Sequence, residues 1–296
     1  MVLESLISPE KAEKRPWELF FLGFIYVTLS ILLSILIFED ENISVLIVTF
    51  VVMSSSILIY NTLKYEKDKD ILNINELNLL KRHAPLLLFF VFLFSGFVFG
   101  YFVWYILIDT FPDIFGTTVS NVFNLQIKTI SSINPSLVSE SFRSSISGNA
   151  FLSSTFWNIF INNFGVLFLS FIFSFIYGLG AIFILTWNAS VLGVAVRLFF
   201  KNYIFNMLIN STSISFFNYL SAFSLAFFRF LVHGLPEMLS YFIAGVSGGI
   251  ISIAIINKNV DSFDIILKDS FILLLISLAL LFASALLEVY FTLSIF

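Results

Sequence analysis

The feature that most constrains this chain is the recurrence of apolar runs about twenty residues long. The first extends from Trp17 to Phe38 and carries one charged side chain, Glu18. A helix that crosses the ~30 Å hydrocarbon layer needs about 20 apolar residues. The fold class that follows is all-α: a polytopic transmembrane helix bundle of about seven spans plus interfacial helices. Composition agrees. The chain is 59% hydrophobic and 11% charged, with a mean hydropathy of +1.00, whereas a soluble domain carries about 25% charged residues. No polar stretch is long enough to build a separate soluble core.

The expected spans are 17–38, 43–63, 85–108, 156–186, 216–233, 236–256 and 271–291. Residues 1–16 read as a short amphipathic or irregular lead. They do not read as a signal peptide, because the first apolar run is long enough to span and lacks a clear cleavage site. Residues 39–42 form a short acidic turn, and 64–82 a charged connector with a short amphipathic helix over 74–82. The long non-spanning region is 109–155. There Val119, Val122, Phe123, Ile127, Ile130 and Ile133 follow helical spacing and predict an amphipathic helix over 118–133. Asn134 and Pro135 suit the start of a second one. The plain reading of this region is a helical hairpin on the membrane surface; the sharper reading is a cap that docks a partner.

Residues 188–215 are apolar but hold Arg197 and Lys201. Each would cost about 2.5–3.5 kcal/mol at the bilayer centre, so an interfacial or half-inserted helix is expected. Two domains result. Residues 1–84 form an N-terminal two-span hairpin with its charged connector, and 85–296 a membrane domain with an exterior helical cap at about 109–155. Segments 1–16, 64–82, 187–215 and 257–270 carry 3, 5, 2 and 2 of the 15 basic residues. The positive-inside rule makes these cytoplasmic. The N-terminus is then cytoplasmic, and 109–155 and the C-terminus are exterior.

Polar groups inside apolar runs are the candidate site. Arg229, His233 and Glu237 are spaced by four, which would stack them on one face of a continuous helix. Gly234 and Pro236 predict instead that one helix ends near His233 and another starts near Glu237. The three side chains then cap and lock a helix corner, or serve a ligand or ion. Asn162, Asn163 and Asn188 should bond to neighbouring helices or to backbone, inter-helix bonding being the plain reading, or line a hydrophilic crevice, since an unpaired amide in lipid is costly. Glu288 is a further lone acid, near the outer interface or a proton site. Gly178, Gly193, Gly234, Gly245, Gly248 and Gly249 are the helix-packing positions. The Gly245/Gly249 face suits self-association into a homo-oligomer, unless it is used inside the bundle.

Several functions are disfavoured. Without cysteine there is no disulfide or thiol nucleophile. Two histidines, His83 and His233, leave too little for a multi-histidine metal site, so no metal and no cofactor is expected. A net charge of −4 provides no basic field for nucleic acid. Gly245-Val246-Ser247-Gly248 matches the serine motif of rhomboid proteases, but no histidine follows Ser247 to act as base; a packing face is the better reading. Asn42, Asn188 and Asn210 match the glycosylation pattern, and only Asn42 falls outside in this topology. No catalytic residue is assigned.

Taken in order, Phe160-Ile161-Asn162-Asn163, Gly178 to Gly180, Asn188 to Gly193 (NASVLG), His233-Gly234, Glu237 and Ala244-Gly245 resemble the stage II sporulation protein M family. The resemblance runs from about Pro85 to Phe296. Residues 17–63 resemble an N-terminal extension of archaeal-type members. Ala189 departs from the family, which often has Gly there. In endospore formers the namesake acts in engulfment as the membrane partner of two cell-wall hydrolases, and relatives occur where no spores are made. The resemblance therefore implies a non-enzymatic membrane scaffold. Its partners would be the lipid bilayer and membrane or exported proteins bound through 109–155. The alternative is a transporter or channel component with a polar cavity at Arg229/His233/Glu237. An intramembrane hydrolase using Ser247 and His233 ranks last.

Overall fold

The computed structural model describes residues 8–38, 43–70, 79–133, 149–177, 181–210, 215–256 and 263–289. Every element among them is a helix: α1 (Pro9–Lys14), α2 (Glu18–Ile37), α3 (Ile43–Asp70), α4 (Leu79–Thr110), α5 (Pro112–Phe115), α6 (Val119–Val122), α7 (Asn124–Ile133), α8 (Asn149–Tyr177), α9 (Ala181–Asn210), α10 (Phe216–Ile256) and α11 (Phe263–Leu287). Seven stretches are long and apolar enough to cross a membrane: Glu18–Ile37, Ile43–Thr62, Ala84–Thr110, Phe156–Phe175, Ile182–Ile209, Gly234–Ile256 and Ile266–Leu287. The chain is an all-α, multi-pass membrane protein.

Contacts between named residues give the helix directions. Gly23 of α2 lies against the backbone of Leu93 and Gly96 in α4, and Trp104 Nε1 donates to Thr28 Oγ1 at 3.0 Å. The two helices therefore run parallel. Gly193 of α9 packs on Val98 and Tyr101, and Arg197 reaches Asp109, so α9 also runs parallel to α4. Running antiparallel to α4, α10 stacks Phe242 on Phe90 (5.3 Å) and sets Phe223 against Phe102 (5.6 Å). On its far side α10 meets α8 at Gly248 and α11 at Ser247.

Three expectations about the spans are corrected. First, residues 188–215 do not lie at the interface: 188–209 belongs to a spanning stretch of α9. The charge that argued otherwise has a partner. Asp109, one residue before the end of α4, accepts from Arg197 at 3.0 Å and lies 3.7 Å from Lys201. The Arg197 guanidinium also sits 5.9 Å from the Tyr105 ring and 5.6 Å from the Phe200 ring. An arginine paired and stacked in this way escapes most of the cost of an isolated charge in lipid.

Second, there is no corner at Gly234-Leu235-Pro236. Residues 216–233 and 236–256 form one continuous helix, α10, of 41 residues with Pro236 inside it. In water, Gly and Pro end helices because solvent takes over the freed backbone groups. At lipid depth no water does so, and Gly and Pro are tolerated within membrane helices. Third, the expected span 156–186 is divided. Helix α8 ends at Tyr177 and α9 begins at Ala181. One span is gained at 182–209 and one is lost at 216–233, so the total remains seven. The last candidate span among the described residues is Ile266–Leu287; residues 290 and 291 of the expected 271–291 lie outside them.

At ~1.5 Å per residue α10 is about 62 Å long, twice what the hydrocarbon layer requires. Its first turns pair with the end of α9: Phe199 meets Phe230 edge-on, and Asn218 Nδ2 approaches Met207 Sδ at 3.7 Å. The two helices thus continue past Asp109 as a hairpin.

The expected cap helix over 118–133 is two helices. Phe123 interrupts it with φ −115° and ψ 24°, because its buried ring stacks on Tyr105 at 5.4 Å. A left-handed turn at Gly116 (φ 61°) closes α5, a conformation glycine adopts without steric cost. Of the expected helix over 74–82, residues 79–82 are the first turn of α4 and the rest lies outside the described residues. The acidic turn at 39–42 and the helix start at 134–135 also lie outside them.

Candidate functional site

The polar cluster is built by α10 and the residues just after α11. Arg229 and Glu237 are two helical turns apart on one face of α10. Continuity of the helix puts position 233 between them; its side chain, like Gly178, is outside what the structure describes. Tyr241, fully buried one turn beyond Glu237, donates its hydroxyl to Glu237 Oε1 at 2.8 Å. Glu288 interacts electrostatically with Arg229, Glu237 and Tyr241. The Arg229 guanidinium lies 4.8 Å from the Phe199 ring of α9. The cluster therefore joins three helices through two carboxylates, one guanidinium and one phenol. Sequence spacing identified Arg229 and Glu237. It missed Tyr241, whose i+4 position after Glu237 was the available signal, and left Glu288 as a lone acid.

The asparagines do not join this cluster in the expected way. Asn162 is exposed, and its amide donates to the buried Asn163 Oδ1 at 3.2 Å. Asn188 is half-buried and donates to the Ile184 carbonyl of its own helix at 2.8 Å. Of the expected bonds to neighbouring helices or to backbone, Asn188 makes the second: the i−4 carbonyl satisfies its amide locally.

The packing glycines divide as well. A Cβ at Gly193 would fall 2.7 Å from the Val98 carbonyl oxygen, and one at Gly248 would meet the Phe171 backbone. Gly245 and Gly249 are buried inside the chain. At Gly234 a Cβ would meet nothing within 4 Å, so it is not a close-approach position. Ser247 is fully buried and donates to the Ser270 carbonyl at 2.8 Å. Fourteen residues of unbroken helix hold positions 233 and 247 about 21 Å apart along the axis. Ser247 and His233 cannot act as nucleophile and base on this scaffold.

A second polar centre was missed outright: Asp109 with Arg197 and Lys201, beside the end of α4. It lies close to the cap: Gln126 of α7 donates to Ser190 of α9 at 3.2 Å, about two turns before Arg197. The signal was present as two bases spaced by four and an acid closing an earlier span. Among the described residues no group of three or more acidic or histidine side chains could hold a metal ion.

The family model for stage II sporulation protein M matches residues 86–293. This chain belongs to the stage II sporulation protein M family. The match starts in α4 and runs through α11, so both polar centres fall within it, while α1 to α3 precede it. Neither a curated protein nor a solved structure matches the chain. As a stage II sporulation protein M family member, the chain places its ionisable groups at helix junctions: Arg197 ties α9 to α4, and Arg229 ties α10 to the end of α11.

Proposed function

We propose that this protein is a non-enzymatic membrane scaffold that holds envelope or membrane proteins at its cap. One observation carries the reading: α5 to α7 are fastened to the bundle while their outer face stays exposed. Ser44 of α3 donates to the Val122 carbonyl at 2.9 Å and accepts from the Leu125 amide. Gln126 reaches α9, and Phe115 and Phe123 pack on Trp104 and Tyr105 of α4. Ile114 (76% exposed), Asp113, Ser120, Asn121 and Lys128 face outward. A platform held by three helices loses little conformational entropy on binding a partner.

The orientation follows from charge. Segments 1–17, 63–83 and 257–268 hold ten basic residues, against two in 111–155. Removing Arg197 and Lys201 from the cytoplasmic tally leaves the bias intact, so the N-terminus is cytoplasmic and the cap exterior. Chemical crosslinking and affinity capture through a tag at the end of the chain, in cells that make the protein, should recover discrete partners, and photo-crosslinking residues at Ile114 and Lys128 should reach the same ones. Replacing 112–133 by a short linker should abolish the capture. An unchanged partner set after that replacement would sink the docking role.

A transport role draws on Glu237, within the span Gly234–Ile256, with Arg229 and Glu288 beside it, since ionisable groups in membrane helices mark ion paths when they face water. The scaffold reading expects a Glu237→Cys variant of this cysteine-free chain to resist membrane-impermeant thiol reagents. Rapid labelling from either side would move transport ahead.

A further inference from the structure

A groove opens between α4, α9 and α10. Its space, counted out into the open side, is about 540 Å³, and its walls include Val91 and Val98 of α4, Leu192 and Val196 of α9, and Phe230 and Met238 of α10. We propose that it holds the hydrocarbon chain of a bilayer lipid. Three observations point to that occupant. The α4 and α9 lining residues lie near the middle of the spans Ala84–Thr110 and Ile182–Ile209, at a depth where the surrounding solvent is hydrocarbon. Among the described residues Ser95 is the one polar side chain in the lining, and its hydroxyl is spent on the Val91 carbonyl at 2.7 Å. A ligand therefore finds no polar partner. Leu235, at the rim, is 37% exposed on the outer face of the bundle, so a lipid tail enters sideways from the membrane.

Length decides between a lipid tail and a partner helix. From Val91 to Val98 the α4 wall covers about 10 Å along the axis, and from Phe227 to Phe242 the α10 wall about 22 Å. A docked transmembrane helix would need contact over much of the ~30 Å layer. Gly234 supplies the missing volume: no atom stands within 4 Å of where its Cβ would be. The glycine that does not break the helix instead keeps the groove open. This inference stands apart from the docking role of the cap.

The test uses the full chain in phosphatidylcholine vesicles doped with a phosphatidylcholine that carries a diazirine in its tail. After photolysis, labelled positions are mapped by peptide mass spectrometry. Labelling at 91–98 and 227–238 should exceed that at Leu33 and Leu275, which are also exposed to lipid. Gly234→Phe and, separately, Val196→Phe should fill the groove and remove the excess, with labelling at Leu33 and Leu275 unchanged. Groove labelling no higher than at Leu33 and Leu275 would overturn the proposal without any variant. So would an excess that survives both substitutions, or crosslinks from the groove to a second copy or another protein.

Discussion

A charge inside a span is read correctly only with its partner in view. Arg197 alone argues against crossing the bilayer; Arg197 with Asp109 argues for it. Its side chain is 12% exposed and that of Asp109 27%. Removing one member of such a pair leaves the other charge uncompensated, which costs about 3–5 kcal/mol when the site is buried. Asp109 retains some solvent contact, so Asp109→Ala should cost about 3 kcal/mol, at the lower end of that range. Changing both residues to leucine should recover most of the loss, because well-packed apolar residues replace a buried pair at little or no penalty. Thermal unfolding in detergent of the single and double variants checks this. Equal destabilisation of the two would mean that Arg197 is held by its ring contacts and not by its carboxylate.

Helix boundaries show where sequence rules written for water fail. The apolar runs revealed the class and most of the elements, because length and composition alone set whether a helix can cross. Gly234 and Pro236 read as a stop and a start, yet α10 passes through both. The Asn188 amide turns back on its own helix, and composition alone does not choose between that carbonyl and a neighbouring helix. Tyr241 was missed because phenols are common in apolar runs and only the i+4 register singles it out. The glycines carry the same lesson in a testable form. Gly248→Leu forces a side chain against the Phe171 backbone, where overpacking costs about 1–3 kcal/mol or more. Gly234→Ala meets nothing and removes the helix penalty of glycine, a gain of up to about 1 kcal/mol. Opposite shifts in melting temperature are expected. A loss at both positions would show that Gly234 is needed for its size after all.

Across the whole molecule, two span corrections cancel in number but not in topology. If 188–215 lay at the cytoplasmic face, Asn218 would share a side with Lys64. In the folded chain α9 runs parallel to α4, with Arg197 at Asp109, and the end of α4 meets the cap where Phe115 packs on Trp104. The turn between α9 and α10 therefore opens on the cap side of the membrane. The chain has no cysteine, so single cysteines report sidedness without background. Cysteines at Lys64 and Lys268 should be modified by an impermeant reagent from one side. Cysteines at Lys128 and Phe217, both well exposed, should be modified from the other. The position at Phe217 separates the two topologies. Labelling there together with Lys64 would restore an interfacial 188–215 and break the parallel pairing of α9 with α4. Labelling together with Lys128 carries the α9–α10 hairpin to the cap side, where its exposed Phe216 and Phe217 and the cap's Ile114 face the same compartment. A protein held by the cap would then meet the hairpin as a second wall, the hairpin fixed to α4 through Asp109 and the cap through Ser44 and Gln126.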